Sequence, residues 1–411
     1  MKLHMFQWIK ISFINLLVVA ILGFLLRYKI LYTFTYIDQK HLLHAHSHFA
    51  FTGWITQTLM ALIVGFICNK HHKDLFKKYF WPLLFNLIGS WGMLITFTIQ
   101  GYGFYSIAFS TTSIFVSYWF AIIVWKDLNA IAENDIGIKW IKIALISNVI
   151  SSIGAFALAF LMANKIVHQN WYVSAQYFFL HFQYNGWFFF CCIGLISSSL
   201  FNNIVSKRVL NQVFYGFTIS LIPAFFLSIL WMKLSSTLYF IIVISAIVQV
   251  VAWVYLLLHI KKNISLIKNK IANNIVVILY GLVATALSIK LLLQLGSIHP
   301  TLSKLAFGFR PIVIGYLHLV LLAIISLSII GYVLYITKIN MNDWLKRGVV
   351  LFAISIMFNE ILLMIQGFAA LDYIVVPYIN ELLLLATVFL FISILLMNVG
   401  INKNKVSEVI K

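Results

Sequence analysis

"HLLHAHSHFAFTGWITQTLMALIVGFIC", residues 41–68, sets four histidines into eight positions and then runs on as an almost unbroken apolar stretch. The apolar part is long enough to cross the hydrocarbon core of a bilayer, which takes about 20 residues of helix. The polar part is either a collar where a span meets water or, if the imidazoles turn inward, a place to hold a metal or haem.

The rest of the chain repeats the apolar theme. Of 411 residues, 63% are hydrophobic and 9% charged, with a mean hydropathy of +1.00. A soluble globular domain of this composition would expose far too much apolar surface to water. Runs of spanning length recur twelve times, with approximate cores at 11–27, 43–67, 80–100, 105–125, 141–163, 174–200, 211–232, 237–260, 274–295, 311–336, 348–369 and 374–399. The first lacks a small-residue cleavage site and is followed at once by Arg27 and Lys29, so it reads as a retained span. No linker or soluble segment interrupts the series, and no internal repeat is visible by inspection. Residues 1–411 thus read as a single polytopic membrane domain, an all-α integral membrane protein of about twelve transmembrane helices.

A formal charge of +19 invites nucleic acid as a partner, but the placement of the basic residues argues against it. They are mostly confined to short connections such as "NKHHKDLFKK", "SKRVLN", "HIKKNISLIKNK" and "DWLKRG". With the N-terminus inside, most of the 29 lysines and arginines fall on the inner side, as the positive-inside rule requires. Both termini are then cytoplasmic, the partner is the lipid bilayer rather than nucleic acid, and the expected location is a bacterial cytoplasmic (inner) membrane. Arg27 and Lys29 run against the rule at the outer end of span 1. The three cysteines, Cys68, Cys191 and Cys192, have neither zinc-site spacing nor a disulfide framework.

Ionisable groups within apolar runs are costly, so each is a functional hypothesis. His46 and His48 lie at the outer end of span 2. His181 in span 6 and His318 in span 10 each lie about seven residues inward from the outer side, roughly 10 Å at the helical rise. Three helices therefore carry imidazoles toward one membrane face, where they could share a cofactor or instead serve as inter-helix hydrogen bonders. In a regular helix residues advance by about 100°, so His46 and His48 point apart and compete for one ligand position. His46 shares its predicted face with Gly53 and Gln57, and a glycine would let a flat macrocycle approach the backbone. His41 and His44 read as interfacial collar.

Tyr184 and Asn185 lie on the predicted face of His181, where a phenol could donate a proton to a metal-bound species. Arg310, eight residues before His318, is suited to hold a haem propionate in two-point fashion, although snorkelling explains it equally well. Glu360 in span 11 and Glu381 in span 12 are the acidic residues read as lying well inside apolar runs, with Lys290 in span 9 as a counter-charge; proton path and structural ion pair both fit.

These residues resemble a known family. "HSHFAFTGW", residues 46–54, is similar to the His-x-His-x-x-x-x-Gly-Trp pattern in span 2 of distant relatives of haem-copper oxidase subunit I. The twelve-span plan, with histidines toward the outer side on spans 2, 6 and 10, is similar as well. The resemblance implies an oxidase-like bundle in which His48, or its rival His46, and His318 are the axial ligands of a haem b, and His181 matches a copper ligand, with Tyr184 beside it. It also implies a partner membrane subunit or an electron-donor cytochrome. Two departures limit it: span 7, "NQVFYGFTISLIPAFFLSILWMKL", has no copper histidines, and span 10 has one histidine where a two-haem protein needs two. A complete oxygen-reducing centre cannot be assembled from these positions. The NnrS family, twelve-span haem and copper proteins, is a looser likeness whose signature segments are not found.

The expectation is a haem-binding membrane protein for electron transfer or for sensing or handling a diatomic gas, O2 or NO. Two other classes compete: a cofactor-free transporter using Glu360, Glu381 and Lys290, and a membrane enzyme with one non-haem metal held by three histidines.

Overall fold

The computed structural model describes residues 3–132, 134–232, 234–299, 301–303 and 309–404. Among them are twelve helices long and apolar enough to cross a membrane, and no strand. In chain order they are α1 (Met5–Leu31), α2 (Gln39–His71), α3 (Phe76–Gln100), α4 (Phe104–Asn129), α5 (Ile136–Ala163) and α6 (Gln169–Phe201). They continue with α7 (Lys207–Ile229), α8 (Ser236–Lys262), α9 (Asn274–Gly296), α10 (Arg310–Thr337), α11 (Asp343–Leu371) and α12 (Ile379–Lys403). The chain is a polytopic helical membrane protein, as its composition requires.

Helix starts follow local chemistry. Asp38, Asp135, Ser206, Ser235 and Asn273 cap α2, α5, α7, α8 and α9 by accepting from backbone N–H groups that the helix leaves unpaired. Pro311 sits in the first turn of α10, where its missing N–H costs no helical bond.

The helices gather into two compact units. One comprises Met1–Ile131, Val333–Ala369 and Tyr373–Lys411; the other comprises Ala132–Tyr332 and Ala370–Asp372. In the first, α1 packs on α12 and α2, and α3 packs on α2 and α4. In the second, α5 packs on α6, α7 on α8, and α9 on α10. The α5–α6 contact is close because small residues line it. A Cβ on Gly154 would lie 2.5 Å from the carbonyl oxygen of Ala175 and 2.7 Å from the backbone nitrogen of Phe179.

Burial follows the same four-helix period as the histidines of spans 2, 6 and 10. The most apolar windows of α2, α6 and α10 are 83%, 78% and 78% buried, whereas no other spanning helix among the described residues exceeds 50%. These same three helices widen into π-helix, at Ala50–Thr56, Phe182–Phe188 and Leu319–Ser326. A histidine stands at each of these three α-to-π transitions, His48 two residues before and His181 and His318 immediately before; a second π segment of α6, Ser197–Phe201, has none.

Candidate functional site

A π-helix bonds i to i+5, which loosens the ladder and shifts the faces that residues downstream present; such segments are frequent at functional sites. Backbone groups freed in this way must find partners in a bilayer, where water does not supply them. In α2 the Thr52 hydroxyl donates to the His48 carbonyl at 2.7 Å, Asn15 of α1 donates to the Gly53 carbonyl at 2.7 Å, and Asn86 of α3 donates to the Thr52 carbonyl at 3.2 Å. Asn15 in turn accepts from the Trp91 indole N–H at 3.2 Å. In α10 the Ser326 hydroxyl donates five residues back, to the Leu321 carbonyl, at 2.8 Å. Sequence reading missed Asn15 and Asn86, whose signal was only that each is an amide in an otherwise apolar run.

The two rival histidines of α2 meet different neighbours. His46 packs on Gly23 of α1, where an added Cβ would lie 3.3 Å from Cε1 of the ring. His48 stacks on Phe97 of α3, with centroids 4.3 Å apart and planes at 12°, and its Nε2 is 3.2 Å from the Tyr102 hydroxyl. Tyr102 follows the end of α3, and burial pushes its phenol above its ordinary pKa, so it stays protonated at neutral pH. His44 sits edge-on to Tyr102 at 4.6 Å. The His41 ring occupies the space that a side chain on Gly101 would fill, and Gly101 has a φ of 60°, so glycine is required there.

Gly53 and Gln57 of α2 stand otherwise than expected. The Phe49 ring lies over Gly53, its Cε2 2.7 Å from where a Cβ would be, so this glycine admits a phenyl ring of its own helix and not a macrocycle. Gln57 does not share the face of His46: it accepts from Asn86 at 2.7 Å and donates to the Leu83 carbonyl at 3.3 Å, both on α3. The π segment between the two residues breaks the 100° rule on which that prediction stood.

In the second unit the π segments of α6 and α10 are in contact. His181 is 2% exposed. Its Nε2 lies 2.8 Å from the Leu221 carbonyl, in the turn of α7 that holds Pro223. A carbonyl only accepts, so Nε2 carries the proton and Nδ1 the lone pair, and that lone pair accepts from Asn185 Nδ2 at 3.2 Å. Both ring nitrogens are engaged. Tyr184 shares a side-chain hydrogen bond with Ser228 and stands edge-on to Tyr316 at 6.3 Å. This pair does not fit the expected copper position, and among the described residues no three His, Cys, Asp or Glu side chains converge to hold a metal ion.

His318 in α10 is likewise held by a backbone carbonyl. Its Nδ1 donates to the Ile314 carbonyl of its own helix at 2.8 Å, which fixes the tautomer with the lone pair on Nε2. Ligating histidines are held this way, by donation from the other ring nitrogen to a carbonyl. His259 makes the same bond to Tyr255 at 2.9 Å, but near the end of α8 and not at a π transition. The histidines are the tenth, thirteenth and ninth residues of α2, α6 and α10, about two to four turns from the helix start. His181 therefore lies further along its helix than the expected seven residues, because α6 starts at Gln169.

The remaining charged residues also find their places. Arg310 is the exposed first residue of α10. Lys29 donates to the carbonyls of Phe34 and Ile37, the latter at 2.6 Å, and so ties down the turn after α1. Glu360 is half-buried and accepts from Asn359 at 3.1 Å. Glu381 is exposed in the first turn of α12, at the end of its span and not deep within it. Lys290, 6% exposed, donates to Gln294 at 2.8 Å; among the described residues its partner is an amide and not a carboxylate.

Compared with models of known protein families and with curated proteins, the chain matches none.

Proposed function

We propose that this polytopic membrane protein binds haem b through His318 and serves in electron transfer or in sensing or handling a diatomic gas. The observation that carries the reading is the Nδ1–H bond from His318 to the Ile314 carbonyl, at the start of a π segment in one of the three most buried helices. It orients the imidazole by its own backbone and sets the proton on Nδ1, the way ligating histidines are held. Bound haem would supply the redox or gas chemistry. The protein's own part is to fix the ring of His318, bury the surrounding helix and present Arg310 to a propionate.

His181 and Tyr184 are given no copper, since their polar atoms are committed elsewhere. The test is a reduced-minus-oxidised spectrum of protein purified from haem-replete cells. A haem b spectrum lost in His318→Ala supports the reading; a colourless wild-type preparation overturns it.

A further inference from the structure

The buried lysine of α9 borders a cavity that the haem reading does not use. Within the second unit, Tyr184, Asn185, Gln249 and Lys290 share this cavity with a wall of phenylalanine, leucine, isoleucine and valine side chains. Its volume is about 20 Å³, room for one water or one small ion. None of the described residues lining it is acidic.

The direction of the hydrogen bonds there is set by the ammonium and by a carbonyl, not by amide assignment. Lys290 can only donate, so Gln294 receives it through oxygen and passes its own N–H to Gln249 Oε1 at 2.7 Å. The amide nitrogen of Gln249 is therefore its remaining polar group, a donor. On the other wall, His181 must accept at Nδ1 because its Nε2 donates to Leu221, so Asn185 gives one N–H to the ring and keeps a second. A cationic side chain and amide donors thus meet in a small apolar chamber without a carboxylate. Burying an ammonium at this depth is costly unless an opposite charge accompanies it.

We propose that the cavity is a binding site for a single halide-sized inorganic anion, held by the Lys290 ammonium with amide N–H groups of Gln249 and Asn185 as further donors. Chloride is the probe of choice. The full-length protein in detergent is exchanged into gluconate buffer at constant ionic strength, and its melting temperature is followed as chloride, and separately bromide, replaces gluconate. The expected result is a saturable rise of a few degrees with either halide, as for any ligand that binds only the folded state. Lys290→Gln abolishes the rise, Gln249→Leu weakens it, and bromide-soaked crystals show an anomalous peak beside Nζ. A melting temperature indifferent to halide in the wild type overturns the proposal even if Lys290→Gln fails to fold. An equal rise in wild type and Lys290→Gln overturns it as well, since that is a general salt effect.

Discussion

His181 donates from Nε2 to the backbone carbonyl of Leu221 across 2.8 Å, which ties α6 to α7 beside Pro223. With Asn185 on its other nitrogen, the ring is a structural link between helices. His181→Leu is therefore expected to lower stability by about 1–2 kcal/mol, the range for polar links within membranes. Asn185→Leu should cost less than this in the His181→Leu background, because the two act as one unit. Denaturant titration of the four variants in detergent measures the coupling. Haem content unchanged in His181→Leu would agree with a structural role, whereas loss of a stoichiometric metal would refute it.

His259 gives an internal control for His318. Both rings donate Nδ1–H to the carbonyl four residues back. Only His318→Ala is expected to remove a haem spectrum; His259→Ala should keep its full intensity. Loss in both, or in neither, counts against His318 as the ligand.

The carbonyls of the α2 π segment depend on asparagines from its neighbours. Asn15→Leu removes the donor to Gly53, and Asn86→Leu removes the donor to both Thr52 and Gln57. Each is expected to cost about 0.5–2 kcal/mol. Hydrogen exchange in residues 50–56 should rise well above that in α4, which has no such segment. Uniform exchange across all helices would show that the asparagines do not hold the π segment.

Gly154 admits the backbone of α6 against α5. Gly154→Leu is expected to force the helices apart at a cost of about 1–3 kcal/mol, as overpacking does. Gly281, whose added Cβ would meet nothing within 4 Å, should tolerate alanine with little change in melting temperature.

Asp38 caps α2 by accepting from the backbone N–H groups of His41 and Lys40, at 3.0 and 2.8 Å. The His41 bond, chiefly, holds its carboxyl below the ordinary value of 3.8. A depressed folded pKa means that the stabilisation is complete above the unfolded value and is lost as pH falls through the folded one. The melting temperature of Asp38→Ala should thus lie below that of wild type at pH 7, with the gap closing at strongly acidic pH. A gap that does not change with pH would assign the cap no ionic part.

Much of the architecture was legible in the chain. Twelve apolar runs became twelve helices because a bilayer sets one length for every span and the composition leaves no alternative. The placement of histidines on spans 2, 6 and 10 was equally plain, since an imidazole in an apolar run stands out. The grouping of Tyr184 and Asn185 with His181 survives in part: Asn185 bonds the ring, while Tyr184 turns to Ser228.

What the chain alone could not reveal depends on where the helix changes its pitch and on which neighbour answers each polar atom. The sequence by itself determined a helical membrane protein, its span count and its unusual histidines, because these follow from local hydrophobicity and residue type. Only the tertiary structure decided that α2, α6 and α10 are the most buried helices and that π segments redirect the residues after each histidine. It also decided that the lone pair of His181 is taken by Asn185 and that the proton of His318 points to Ile314. Those outcomes rest on hydrogen bonds across helices and on ladder shifts of a single residue, neither of which leaves a periodic mark in the sequence.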